Sequence, residues 1–158
     1  RGNVATRLAK LAAGEVHATL LAAAGLDRLG QGDVGITIPV DMMLPAPSQG
    51  AVGIEPLGDN EAVLAALAAI SDADTFDCVM AERNVLMGLG GTCHSPIAAL
   101  ALVDGDRLHL RAEIISPNGQ ETVRDEARID RHDSDAAQAM GRSLLDRASP
   151  ALRSLFEG

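Results

Sequence analysis

Apolar positions recur at helical spacing over residues 4–13, where Val4, Leu8 and Leu11 share one face. Asn3 stands where an N-cap belongs, and Gly14 ends the run. VHATLLAAA then forms an apolar stretch between Gly14 and Gly25. It predicts a buried strand at 16–22 running into a short helix near 23–29. This helix–strand–helix order suits part of an α/β layer. Residues 30–50 are loop-like, punctuated by Gly30, Gly32, Gly35, Pro39, Pro45 and Pro47, with GITIPV as a candidate short strand. AVGIE at 51–55 is a further strand candidate. NEAVLAALAAI at 60–70 predicts a helix capped by Asp59 or Asn60.

A second helix is expected from Ser71 or Asp72 to about Leu89, with Phe76, Val79, Met80, Arg83, Leu86 and Met87 giving a mixed face. After residue 94 the period changes. PIAALALV, RLHLRAEIIS and ETVRDEARID run apolar or alternate, separated by DGD and SPNGQ. They predict three antiparallel strands joined by two hairpins. A helix over 134–147 follows, with Ser134 as its cap, and SPALRSLFEG predicts one more short helix. Residues 71–158 therefore read as an α+β unit of helix, three-stranded sheet and helices.

Composition narrows the function. With 158 residues, 47% of them apolar, the chain can bury a core. No apolar run approaches the roughly 20 residues of a membrane span, and no secretory signal is visible. Two cysteines, Cys78 and Cys93, make no disulfide framework and point to a reducing, cytoplasmic setting. The formal charge of −9 and the absence of Trp and Tyr argue against nucleic-acid binding. The charge is uneven. Arg1, Arg7, Lys10 and Arg28 give a basic opening, whereas Asp59, Glu61, Asp72, Asp74, Asp77 and Glu82 lie in a stretch with no base. A small anionic ligand can bind at a locally basic cleft despite the net charge.

Three places carry candidate chemistry. Cys93 lies in GLGGTCHSPI, on a loop of small residues. From spacing alone it is either a turn residue at the edge of the core or an exposed, reactive thiol. Cys78, within a helix, reads as a buried small hydrophobe. Arg1 and Arg7 flank the mouth of the first helix, where free N–H groups and guanidinium forks would seat a carboxylate or phosphate. Arg28 could point the same way, and solvated surface arginines are the alternative. In LPAPSQGAVGIE, Gln49 and Gly50 stand at a strand entrance, suited either to a ligand or to a crossover between domains. His17, His94, His109 and His132 are scattered without metal-ligand spacing, so no metal site is expected. His109, between Leu108 and Leu110, belongs on an outer strand face. GLGG lacks the GK[ST] of a phosphate loop.

Together RGNVATRLAKLAAGE, ATLLAAAGLDRLG, LPAPSQGAVGIE, AERNVL and GGTCHSPIAALA resemble the porphobilinogen deaminase (hydroxymethylbilane synthase) family, in its order and at near-family spacing. The likeness covers essentially the whole chain and corresponds to the C-terminal half or so of a family member. It implies a cytoplasmic transferase of tetrapyrrole (heme) biosynthesis. Such an enzyme condenses four porphobilinogen units into a linear tetrapyrrole with release of ammonia. The chain is primed by a dipyrromethane cofactor held through a thioether to a cysteine, by motif Cys93. Arg1, Arg7 and Arg28 would bind the substrate carboxylates, with Arg7, Gln49 and Gly50 also near the cofactor.

The resemblance further implies remnants of two periplasmic-binding-protein-like α/β domains plus a C-terminal α+β domain. Residues 1–43 would finish the second domain, 44–70 return to the first, and 71–158 form the third. The family's catalytic aspartate is expected before residue 1, so this part alone should be inactive. The expected partners are porphobilinogen and the N-terminal half, in a monomer. Thr92, His94 and Ser95 depart from the family's usual Gly, Gln and small apolar residue, which points to slower cofactor loading. A competing reading is a non-catalytic fragment that binds anionic ligands through the same arginines; the anchor cysteine argues against it.

Overall fold

A computed structural model of the chain describes residues 2–58 and 60–157. The chain divides after Met42 into two compact units.

In the first unit, α1 (Val4–Ala12) starts at Asn3, whose side chain accepts from the Thr6 N–H. The short α2 (Ala23–Arg28) carries Leu26, the unit's buried hydrophobic residue among those described. The strand expected at 16–22 does not form, nor does the one in GITIPV. A strand persists only in a ladder with partners. Among the described residues, the sheet is limited to three strands from further along the chain. Ile36 is accordingly 95% exposed. The α/β layer anticipated here is thus represented by its helices alone.

The second unit begins with another unformed strand. AVGIE at 51–55 forms no strand, and Val52 is 81% exposed. The helix α3 (Glu61–Ile70) is capped by Asn60, which accepts from the Val63 N–H; Asp59, the alternative cap, lies outside the described residues. Then comes the expected α+β arrangement. It comprises α4 (Ala73–Gly88), β1 (Ile97–Asp104), β2 (Arg107–Ile115), β3 (Thr122–Asp130), α5 (Ser134–Arg147) and α6 (Pro150–Arg153). The sheet is antiparallel in the order β1-β2-β3, with Leu110 opposite Ala101 on one side and Ala127 on the other. Asp133, rather than Ser134, caps α5 by accepting from the Ala136 N–H.

Alternation along β1 and β2 sends Ala99, Ala101, Leu108, Leu110, Ala112 and Ile114 to one face of the sheet. Val85 and Leu89 of α4, Met140 and Leu144 of α5, and Leu152 and Phe156 of the tail pack with them in one core. The other face carries cross-strand ion pairs such as Arg107–Asp130 and His109–Glu126, which places His109 on the outer face as expected.

The helix α4 departs from the face read in the sequence. Phe76, Met80 and Met87 are exposed, while Asp77, Ala81, Glu82, Asn84 and Val85 are buried. The buried polar groups are satisfied. Asp77 pairs with Arg131, and Asn84 donates to the Met80 carbonyl and accepts from Gln138. Small residues on this face let the neighbouring helix approach closely. Cys78 is half-buried and packs against the core.

Candidate functional site

The helix α4 ends in a Schellman motif. The Gly90 N–H donates to the Met87 carbonyl and the Gly91 N–H to the Leu86 carbonyl, with Gly90 at φ 64°. A Cβ on Gly91 would lie 2.7 Å from Leu86 Cδ1 and 3.2 Å from Ser95 Oγ. Glycine at this position therefore lets the loop sit directly on the helix. The chain then turns over Thr92–Ser95. The Ser95 N–H donates to the Thr92 carbonyl at 3.0 Å, and the Thr92 N–H to Ser95 Oγ at 2.9 Å. The His94 N–H donates to Thr92 Oγ1 at 3.3 Å. Cys93 occupies this turn and is exposed. Thr92 and Ser95 are thus the side chains that pin the turn presenting the thiol.

Burial pushes the other thiol, Cys78, above its ordinary acidity range, and the nearby Glu82 carboxylate adds to the shift. That thiol stays protonated and unreactive at neutral pH. The two cysteines therefore have different roles open to them, one in the core and one in solvent.

The Pro45–Gly50 segment is moored to α4 and β1. The Ala99 N–H of β1 donates to the Pro45 carbonyl at 3.0 Å. Glu82 of α4 accepts from the Ser48 N–H through one carboxylate oxygen (2.6 Å) and from the Ala101 N–H through the other (2.9 Å). The Arg83 guanidinium donates to Ser48 Oγ at 3.3 Å. Ser48 has φ 61°, the left-handed region that side chains disfavour, and Gly50 follows at φ 82°. Gln49 and Gly50 are exposed at the end of this bend. Gln49 does not open a strand, since residues 51–55 form none; its N–H closes a turn onto the Ala46 carbonyl.

Sequence reasoning passed over Glu82. It lies four residues after Cys78 and three before Val85, on the buried face of α4, whose other members include Asp77 and Asn84. With polar residues on that face, apolar periodicity gave no signal for it. Burial raises its pKa, opposed by the two N–H donors.

In the first unit, Arg7 is exposed on α1 and donates through Nε to the Gly2 carbonyl (3.3 Å) and through Nη1 to the Leu20 carbonyl (3.0 Å). Arg7 therefore ties α1 to the segment before α2 as well as offering charge. Arg28 is exposed in the last turn of α2. Arg1 lies outside the described residues. The candidates thus fall into two groups, Arg7 with Arg28 in one unit and Gln49, Gly50 and Cys93 in the other.

Among the described residues no helix is long and apolar enough to cross a membrane. Two family models match in tandem. "Porphobilinogen deaminase, dipyromethane cofactor binding domain" covers residues 1–65, and "Porphobilinogen deaminase, C-terminal domain" covers 76–149, the span that contains Cys93. Among curated relatives, the porphobilinogen deaminase of Sphingopyxis alaskensis is 52% identical over 99% of this chain and 49% of its own length. That of Nitrobacter hamburgensis is 46% identical over 100% of this chain and 51% of its own. That of Bordetella parapertussis is 50% identical over 99% and 51%. The chain spans about half the length of the curated relatives it matches. Two adjacent family models and near-complete alignment at this identity lead to one conclusion: the chain belongs to the porphobilinogen deaminase family.

Proposed function

We propose that this chain is part of a hydroxymethylbilane synthase, a cytoplasmic transferase that joins four porphobilinogen units into hydroxymethylbilane with loss of ammonia. In this reading residues 1–43 finish the second domain, 44–70 return to the first and 71–158 form the third. The whole protein acts as a monomer. The observation that carries the reading is Cys93: an exposed thiol on a pinned turn, inside the segment that matches the family's C-terminal domain.

The residues present fit a dipyrromethane group. Among the described residues no hydrogen bond engages the Cys93 sulfur, so a thioether there displaces no internal contact. Cys93 would hold the group covalently, and Arg7, Gln49 and Gly50 would border it. When bound, the group supplies the pyrrole terminus that primes chain growth. This chain's own residues bind and orient. Arg1, Arg7 and Arg28 provide forked donors for the acetate and propionate of each pyrrole unit, a task that suits guanidinium better than ammonium. Gln49 offers both a donor and an acceptor beside the approach. Holding the reacting ends together supplies much of the rate gain in such a condensation. We assign no acid–base residue to this chain. The non-catalytic binding fragment is not favoured, since ligand binding alone gives no use to the exposed anchor thiol.

Intact mass of the full-length protein made in cells tests this. The expected result is an adduct of two pyrrole units, mapped to Cys93 and absent from Cys93→Ser with the fold retained. Product formation at the normal rate by Cys93→Ser, or an adduct on another residue, would overturn the assignment.

A further inference from the structure

The bend at Pro45–Gly50 and the Cys93 loop are moored on the same helix. Glu82 and Arg83 hold the bend, and one turn later the Leu86 carbonyl and side chain hold Gly91. Four residues of helix separate the moorings by about 6 Å along the axis. The link through Glu82 is unusual in three respects. Its carboxylate is buried inside the unit rather than solvated. Its two oxygens bridge N–H groups on separate elements, Ser48 of the bend and Ala101 at the unpaired edge of β1. Finally, the bend it grips is centred on a non-glycine residue in the left-handed region. Such a conformation persists where its surroundings over-determine it. The Ser48 N–H donated to Glu82 at 2.6 Å is the shortest side-chain hold on the bend.

We propose that Glu82 is a positioning residue that fixes the left-handed bend at Ser48, and thereby sets Gln49 and Gly50 in register with the Cys93 loop through α4. The part concerning ligand rests on the function proposed above; the clamp does not. The edge of β1 supports the same role. Its Ala99 N–H goes to Pro45 and its Ala101 N–H to Glu82, so the bend and the carboxylate together cover an edge that would otherwise expose free donors. The neighbouring Arg83–Ser48 Oγ bond, at 3.3 Å, is longer than the Glu82 bond at 2.6 Å and serves as the weaker second hold.

Hydrogen exchange on the full-length protein separates this clamp from general core stabilisation. Glu82→Gln keeps the shape but turns one acceptor into a donor. The expected result is about tenfold or faster exchange at Ser48, Gln49 and Ala51, with Leu108–Ile114 unchanged. Unchanged exchange at the bend, or an equal rise throughout β2, would overturn the clamp. Ser48→Gly is the second variant. It deletes the Oγ that Arg83 grips but keeps the N–H that Glu82 holds, so the bend should exchange no faster than in the parent. Faster exchange would show that Arg83, and not Glu82, sets the bend. Coupling to the chemistry is read separately. Glu82→Gln should retain its two-pyrrole adduct while product forms about tenfold more slowly, and rescue of the rate is not expected from added substrate. A full rate alongside a loosened bend would refute the coupling. Absence of the adduct from the parent protein would refute the enzymatic reading and leave the clamp intact.

Discussion

Glu82 and Glu121 both accept from backbone N–H groups, yet their acidities move in opposite directions. Burial dominates at Glu82 and raises its pKa above the ordinary 4.5. Glu121 accepts from the Ser149 hydroxyl (2.6 Å) and the Ser149 N–H (2.8 Å), which together lower its pKa below 4.5. Linkage then gives each a sign. For Glu121 the folded state holds its proton more weakly than the unfolded chain. Its contribution to stability is therefore present above pH 4.5 and lost as pH falls through the lowered value. For Glu82 the folded state holds its proton more tightly, so its contribution is present below pH 4.5 and lost as pH rises through the raised value. Urea unfolding of the parent, Glu121→Gln and Glu82→Gln across the acidic range checks both. The parent's advantage over Glu121→Gln should shrink on acidification. Its advantage over Glu82→Gln should shrink on the way up. Parallel curves would mean that neither carboxyl differs between folded and unfolded states.

At the level of elements, α4 and α5 meet through glycine. A Cβ on Gly141 would run into the Val85 carbonyl and lie 3.0 Å from the Leu89 nitrogen; one on Gly88 would collide with the Gln138 backbone. Backbone, unlike a flexible side chain, cannot step aside. Gly141→Ala should therefore lower stability by about 2–3 kcal/mol despite the better helix propensity of alanine. A denaturation midpoint equal to the parent's would contradict so close an approach. These elements were legible in the sequence because their signals are local. Asn3, Asn60 and Asp72 each accept from the N–H three residues on. The Gly105-Asp106 and Pro117–Gly119 turns set two hairpins whose alternation predicts which face is buried. The buried face of α4 was not legible from apolar periodicity. Its polar members, Asp77, Glu82 and Asn84, are satisfied by Arg131, Ser48, Ala101 and Gln138, partners between 19 and 54 residues away in sequence. The exposed position of Cys93 was open to either reading until the Thr92–Ser95 turn placed it.

Across the whole molecule, the unit from Met43 onward holds the contiguous core, whereas several apolar segments remain uncovered. Periodicity registers that a stretch is apolar, but a strand also needs a partner, and partners are set by topology rather than by local sequence. Hence GITIPV, AVGIE and 16–22 carried a strand signal and form none, with Val52 and Ile54 81% and 59% exposed. The helix α3 likewise buries no residue although EAVLAALAAI is almost wholly apolar. Because the relatives are about twice as long as this chain, the rest of a family member has ample residues to pair these segments. In the full-length protein the amides of Val16–Ala22 and Ala51–Glu55 should therefore be protected from hydrogen exchange to the level of β2, and Val52 and Ile54 should lose most of their accessibility. Removing one such apolar contact by Ile54→Ala should then cost about 2–4 kcal/mol, the range for a truncated core residue, instead of the near-zero cost of an exposed one. Amides that exchange at the rate of an open loop, together with a silent Ile54→Ala, would mean that these segments are surface coil in the intact protein as well. The apolar pattern would then need a different explanation from sheet pairing.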